Sequence, residues 1–88
     1  MDKDYILSFS SFYKAAYARD VLEEFGINSV LRKLPSELIK SCGTGLYLRI
    51  DSIQRVRDIF EEKQIVPRGI YLINRRGNDQ KGTEYKKI

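Results

Sequence analysis

Leu46-Tyr47-Leu48-Arg49-Ile50 alternates aliphatic side chains with a tyrosine and an arginine. A period of two over five residues is the pattern of a half-buried strand. Upstream, Ile27 to Leu34 is a second extended run, with Val30 against Arg32 and Leu31 against Lys33, and Pro35 ends it. Downstream, Asp51 with Gln54 three residues later resembles a capping box, and Ile53, Val56, Ile59 and Phe60 recur on one side of a helix. The middle of the chain therefore reads strand, strand, helix.

The flanks complete the pattern. Tyr5-Ile6-Leu7-Ser8-Phe9 is rich in strand formers, and Ser10-Ser11 behind it supplies a helix N-cap. Phe12, Ala15, Ala18, Leu22 and Phe25 then recur at helical spacing, with Gly26 as the stop. Gly69-Ile70-Tyr71-Leu72-Ile73 is a fourth strand after Pro67. The order β-α-β-β-α-β predicts an α+β, ferredoxin-like domain: a four-stranded antiparallel sheet, strand order 4-1-3-2, with two helices on one face. Between the second and third strands, residues 35–41 have the makings of one helical turn started by Pro35.

The chain of 88 residues carries a net charge of +4 and 42% apolar residues. At this size only about 60% of the unfolded surface is hidden, so the core is thin. Residues 75–88 hold five Lys/Arg against two Asp/Glu, whereas residues 1–74 are close to neutral. The reading is one domain over 1–74 and a basic, disordered tail over 75–88, because no apolar period continues past Asn74 and Gly77 and Gly82 break any helix. A charged start without a signal-peptide core, no apolar run of membrane-spanning length and a single unpaired cysteine together predict a cytoplasmic protein.

The candidate chemistry centres on that cysteine, in Ser41-Cys42-Gly43. With no histidine and no second thiol, an intramolecular disulfide and a Cys/His metal site are excluded, and no cofactor is expected. In the predicted topology the start of the third strand lies beside the end of the first, which places Cys42 and Gly43 near Ser10, Ser11 and the N-terminus of the first helix. That helix end and Lys40 would favour a thiolate. A helical 36–41 segment capped by Cys42 would do the opposite. Gly43 and Gly45 remove side chains, so that a substrate or another protein can approach the backbone. The plain alternative is a small buried cysteine beside a turn glycine.

The opening strand with its serine-led helix, Tyr5-Ile6-Leu7-Ser8-Phe9-Ser10-Ser11, then Gly26-Ile27, Pro35-Ser36-Glu37-Leu38, Ser41-Cys42-Gly43-Thr44-Gly45-Leu46 and Gly69-Ile70-Tyr71 together resemble the small family of selenium/sulfur carrier-like proteins, over about residues 4–73. The resemblance implies that Cys42 bears a persulfide or selenopersulfide and hands it to a partner. It further implies a donor such as a cysteine desulfurase and an acceptor protein, with the chain a carrier more than a stand-alone enzyme. Gly43, Gly45, Ser41, Lys40 and Ser11 are the supporting residues.

The same residues bear on two other classes. An RNA-recognition module needs a basic residue and stacking aromatics on its third strand, and Cys42-Gly43-Thr44-Gly45-Leu46 keeps only the glycine spacing. Nucleic acid is not the expected partner. A non-catalytic regulatory or interaction module is the alternative function. Tyr47 and Tyr71 point away from the helices, leaving an apolar, aromatic sheet face; a homodimer through this face or a strand edge is expected unless the tail or residues 35–41 fold over it.

Overall fold

The computed structural model describes residues 2–39, 43–75 and 83–88. Its elements run β1 (Lys3–Ser8), α1 (Phe12–Glu24), β2 (Ser29–Lys33), a 3-10 turn (Ser36–Leu38), β3 (Thr44–Ile50), α2 (Ile53–Lys63), β4 (Gly69–Arg75) and β5 (Thr83–Lys87). All strand pairs are antiparallel, in the order β2-β3-β1-β4-β5.

Among the described residues the sheet has five strands where the sequence predicts four. The fifth comes from the stretch read as a disordered tail: β5 pairs with β4 from Tyr71↔Lys87 to Arg75↔Thr83, and Ile88 N–H adds a bond to Ile70 O at 2.9 Å. Only Tyr85 of this strand is partly buried, the rest being exposed. A strand anchored by one side chain leaves no alternating apolar signature, which is why its sequence reads as tail.

Strand alternation divides the side chains between two faces. Tyr5, Leu7, Leu46, Leu48, Ile50 and Ile70 meet the two helices through Ala15, Ala18, Leu22, Val56 and Phe60 in the main core. Phe9 and Phe60 pack edge-on there, ring centres 6.2 Å apart. Alanines at 15 and 18, fully buried, let α1 lie close on the sheet.

Helix ends follow local chemistry, with one shift. Ser11 is the N-cap of α1, its hydroxyl accepting from Lys14 N–H at 3.3 Å, and Gly26 adopts φ +76° just past the end. The N-cap of α2 is Ser52 and not Asp51, and Gln54 donates to Asp58 at 2.9 Å instead of closing a capping box. Two members of the expected α1 stripe also fall outside the core. Phe12 and Phe25 are exposed at the two ends of the helix, where the sheet no longer lies beneath them, and Lys63 Nζ stands 6.0 Å from the Phe25 ring centre.

The second sheet face is covered in part from within the chain. Ile6 and Tyr71 on this face pack with Leu34 and Leu38 from the β2–β3 connection, and with Tyr47, Ile73 and Tyr85 at the edges of the cluster. Leu38 of the 35–41 connection and Tyr85 of the tail both fold onto this patch, with Leu34 beside them.

Candidate functional site

The β2–β3 connection carries the Ser41-Cys42-Gly43 motif. Its base is closed three ways. Leu34 N–H donates to Gly43 O at 2.7 Å. Tyr47 O–H donates to the carbonyl of Lys33 at 3.0 Å. The Leu34 side chain, almost fully buried, lies over Gly45, where a Cβ would overlap Leu34 Cδ2 and come within 2.8 Å of Leu7 O. Farther out, the 36–38 turn drops Leu38 into the second-face cluster. Pro35 presets the start of that turn, and Leu38 N–H returns to Pro35 O at 2.9 Å.

The two glycines therefore differ. Gly43 is exposed and a Cβ there would meet nothing within 4 Å, so a molecule from outside can reach its backbone. Gly45, expected to serve access as well, is buried, and its open side is filled by Leu34. It serves packing.

The end of the sheet at which β3 begins is also where β1 finishes. Ser8 pairs with Gly45 on one side and Gly69 on the other, its carbonyl accepts from Arg68 N–H at 2.7 Å, and its hydroxyl donates to Gly69 O at 3.5 Å. Three residues after Ser8 stands the N-cap Ser11. The head of β3, Thr44, and the N-terminus of α1 thus belong to one end of the molecule. Lys40, Ser41 and Cys42, and with them the expected approach of Cys42 to Ser11, lie outside the described residues.

Tyr47 is a site residue that the sequence reading used only as a face marker. Its ring receives Arg32, whose guanidinium carbon is 5.9 Å from the ring centre. Burial, and secondarily the neighbouring Tyr85 phenol, push its pKa above the ordinary tyrosine value, with Arg32 pulling the other way. A phenol kept neutral keeps its proton for the Lys33 carbonyl. Arg49, next on that face, forms a two-bond ion pair with Asp4 at 2.9 and 3.2 Å, which raises the guanidinium pKa further. The aromatic–hydroxyl pairing of Tyr47 leaves no sequence signal, because its partner is a backbone carbonyl fourteen residues away.

Among the described residues no group of three or more His, Cys, Asp or Glu side chains could hold a metal ion. No helix among them is long and apolar enough to cross a membrane. The sequence profile of the family described as "Putative Se/S carrier protein-like" matches residues 4–72. No curated protein and no solved structure matches the chain.

Proposed function

The chain belongs to the Se/S carrier protein-like family, and on that premise we propose that it carries sulfur or selenium on Cys42. The observation that supports the reading most is that the family match, over residues 4–72, spans the one thiol of the sequence. With no other cysteine, transfer through this chain has a single possible thiol.

The chemistry asked of it is modest. The Cys42 thiolate attacks the terminal sulfur of a persulfide on a donor protein. The donor's S–S bond breaks, its own sulfur leaves as a thiolate, and the new S–S bond forms on Cys42 with no net oxidation. The reverse sequence on an acceptor's nucleophile unloads it. A selenopersulfide moves in the same way. The requirement is thiolate character, which a helix N-terminus and a nearby ammonium provide. The N-terminus of α1, capped by Ser11 at the end of the sheet where β3 begins, and Lys40 two positions before the cysteine are assigned that role. Ser41 and Gly43 flank the sulfur with small groups, and the exposed Gly43 leaves room for a partner's persulfide. A carrier of this kind suits a reducing compartment, and the cytoplasm is its expected place of action.

The test is protein purified without reductant and weighed intact. A gain of one sulfur or selenium atom, lost with dithiothreitol and absent from Cys42→Ser, is the expected result. Incubation with a cysteine desulfurase and labelled cysteine should load the same residue. Its alkylation rate should titrate below the free-thiol value of about 8.5. An ordinary thiol titration with no label transfer overturns the carrier reading in favour of a non-catalytic interaction module.

A further inference from the structure

The end of the sheet that begins β3 carries a second feature, on the helix side. Between the N-terminal half of α1 and the chain leaving α2 is a hollow of about 220 Å³, floored by Phe9 and Ile65 and rimmed by Lys14, Tyr17, Gln64 and Val66. Its surroundings are unusually apolar for a surface. Val66 is 81% exposed and Tyr17 54% exposed, and one turn before Tyr17 stands Tyr13 at 84%, beside Phe12 at 51%. Exposed large side chains scattered singly carry no meaning, but Tyr17 and Val66 at the mouth of one hollow, with Tyr13 one turn away and Phe12 packed edge-on against Tyr13, form a patch.

The charge around that patch is one-sided. Residues 8–18, 43–45 and 64–69 include Lys14 and Arg68 and not one Asp or Glu. The first turn of α1 has no acidic residue to offset the positive end of its dipole. Of the carboxylates, Glu61 lines the adjoining hollow beyond Ile65 and Val66, in company with Arg57 and Arg68, while Asp2 and Asp51 border a hollow with Gly26 and Arg55 at the opposite end of the sheet. Neutral apolar contact alone would fit many occupants, whereas an aromatic hollow rimmed by an ammonium and lacking any acid selects a partner by sign.

We infer that this patch docks an acidic segment of a partner protein, which seats one apolar or aromatic side chain in the hollow between Tyr17 and Val66 and sets its carboxylates toward Lys14. A hollow of this volume accepts a side chain and not a cofactor, and a tyrosine at its mouth is a residue type enriched where partner side chains anchor. A partner seated there lies at the end of the sheet where the Gly43–Gly45 segment begins β3. The inference rests on the carrier reading only for the identity of that partner as donor or acceptor; the recognition itself does not use the thiol.

The experiment is selection of a random peptide library, displayed on phage, against the full chain. Enriched peptides are expected to combine acidic residues with an apolar anchor. A labelled enriched peptide should bind about tenfold more weakly to Lys14→Glu and to Val66→Ser, two exposed positions whose substitution leaves the circular dichroism spectrum unchanged. Its affinity should fall with added salt. No enrichment, enrichment of neutral or basic peptides, or binding indifferent to both variants overturns the inference. So does sedimentation showing a dimer that Val66→Ser dissociates, since the patch would then serve a second copy of this chain. Cys42→Ser should bind the same peptides. Peptide binding without sulfur transfer rejects the carrier reading alone, and sulfur transfer indifferent to Lys14→Glu and Val66→Ser rejects this inference alone.

Discussion

Leu34 occupies the space that a side chain at Gly45 would need. Leu34 is the first residue past β2 and Gly45 the second residue of β3, and their contact seals the base of the connection that carries Cys42. A methyl group on Gly45 would overlap Leu34 Cδ2 and press on Leu7 O of the central strand. The side chain can yield and the backbone cannot.

Gly45→Ala should therefore destabilise the fold by about 1–3 kcal/mol, the usual range for overpacking. In urea titrations the double variant with Leu34→Ala should lose less than the two single changes summed, because removing Leu34 relieves one of the two clashes. Full additivity would mean that the residues do not share this space.

Leu38 tests the outer anchor of the same connection. It is buried against Ile6 and Tyr71 although it belongs to a three-residue turn. Leu38→Ala should cost about 2–4 kcal/mol, whereas Glu37→Ala beside it, at an exposed position, should stay within about 0.5 kcal/mol. Equal effects at the two positions would show that the turn is not docked on the sheet.

Much of this architecture was legible in the sequence, and the exceptions have separate physical causes. Alternation in 46–50, the serine before Phe12 and the glycine at 26 each act within a few residues, so each could be read locally. Phe12 and Phe25 could not, since periodicity gives a helix its face but not where the sheet beneath that face stops. β5 was hidden because it contributes a single anchoring side chain, Tyr85, among charged neighbours. At the site the sequence singled out Gly45. It could not assign Gly45 to packing rather than access, because that depends on Leu34 folding back across the strand. The Tyr47 hydrogen bond to a backbone carbonyl was equally out of reach.

β5 should be the least protected strand. It lies at the edge of the sheet, and only Tyr85 ties its side chains to the second-face cluster. Native-state hydrogen exchange should show its amides opening with a lower free energy than those of β1, which is paired on both sides. Tyr85→Ala should lower global stability by only about 1–2 kcal/mol while raising β5 exchange rates steeply. Protection of β5 equal to that of β1 would show that the strand opens only with the whole domain.

Tyr47 makes the stability of this domain sensitive to alkali in a defined direction. Its pKa is raised above the ordinary 10.0, by burial first and by the nearby Tyr85 phenol second. The folded state thus holds this proton more tightly than the unfolded chain does. Below pH 10 both states are protonated and the contribution is fully present. As pH rises past the unfolded value and then through the raised folded one, the unfolded state releases its proton first and stability falls. Ionisation also removes the donor from the Lys33 carbonyl. Tyr47→Phe should cost about 1 kcal/mol at neutral pH for the lost hydrogen bond, and the difference between the two proteins should shrink as pH climbs above 10. A difference that stayed constant into the alkaline range would mean that the phenol titrates alike in both states and that its environment is not the one described.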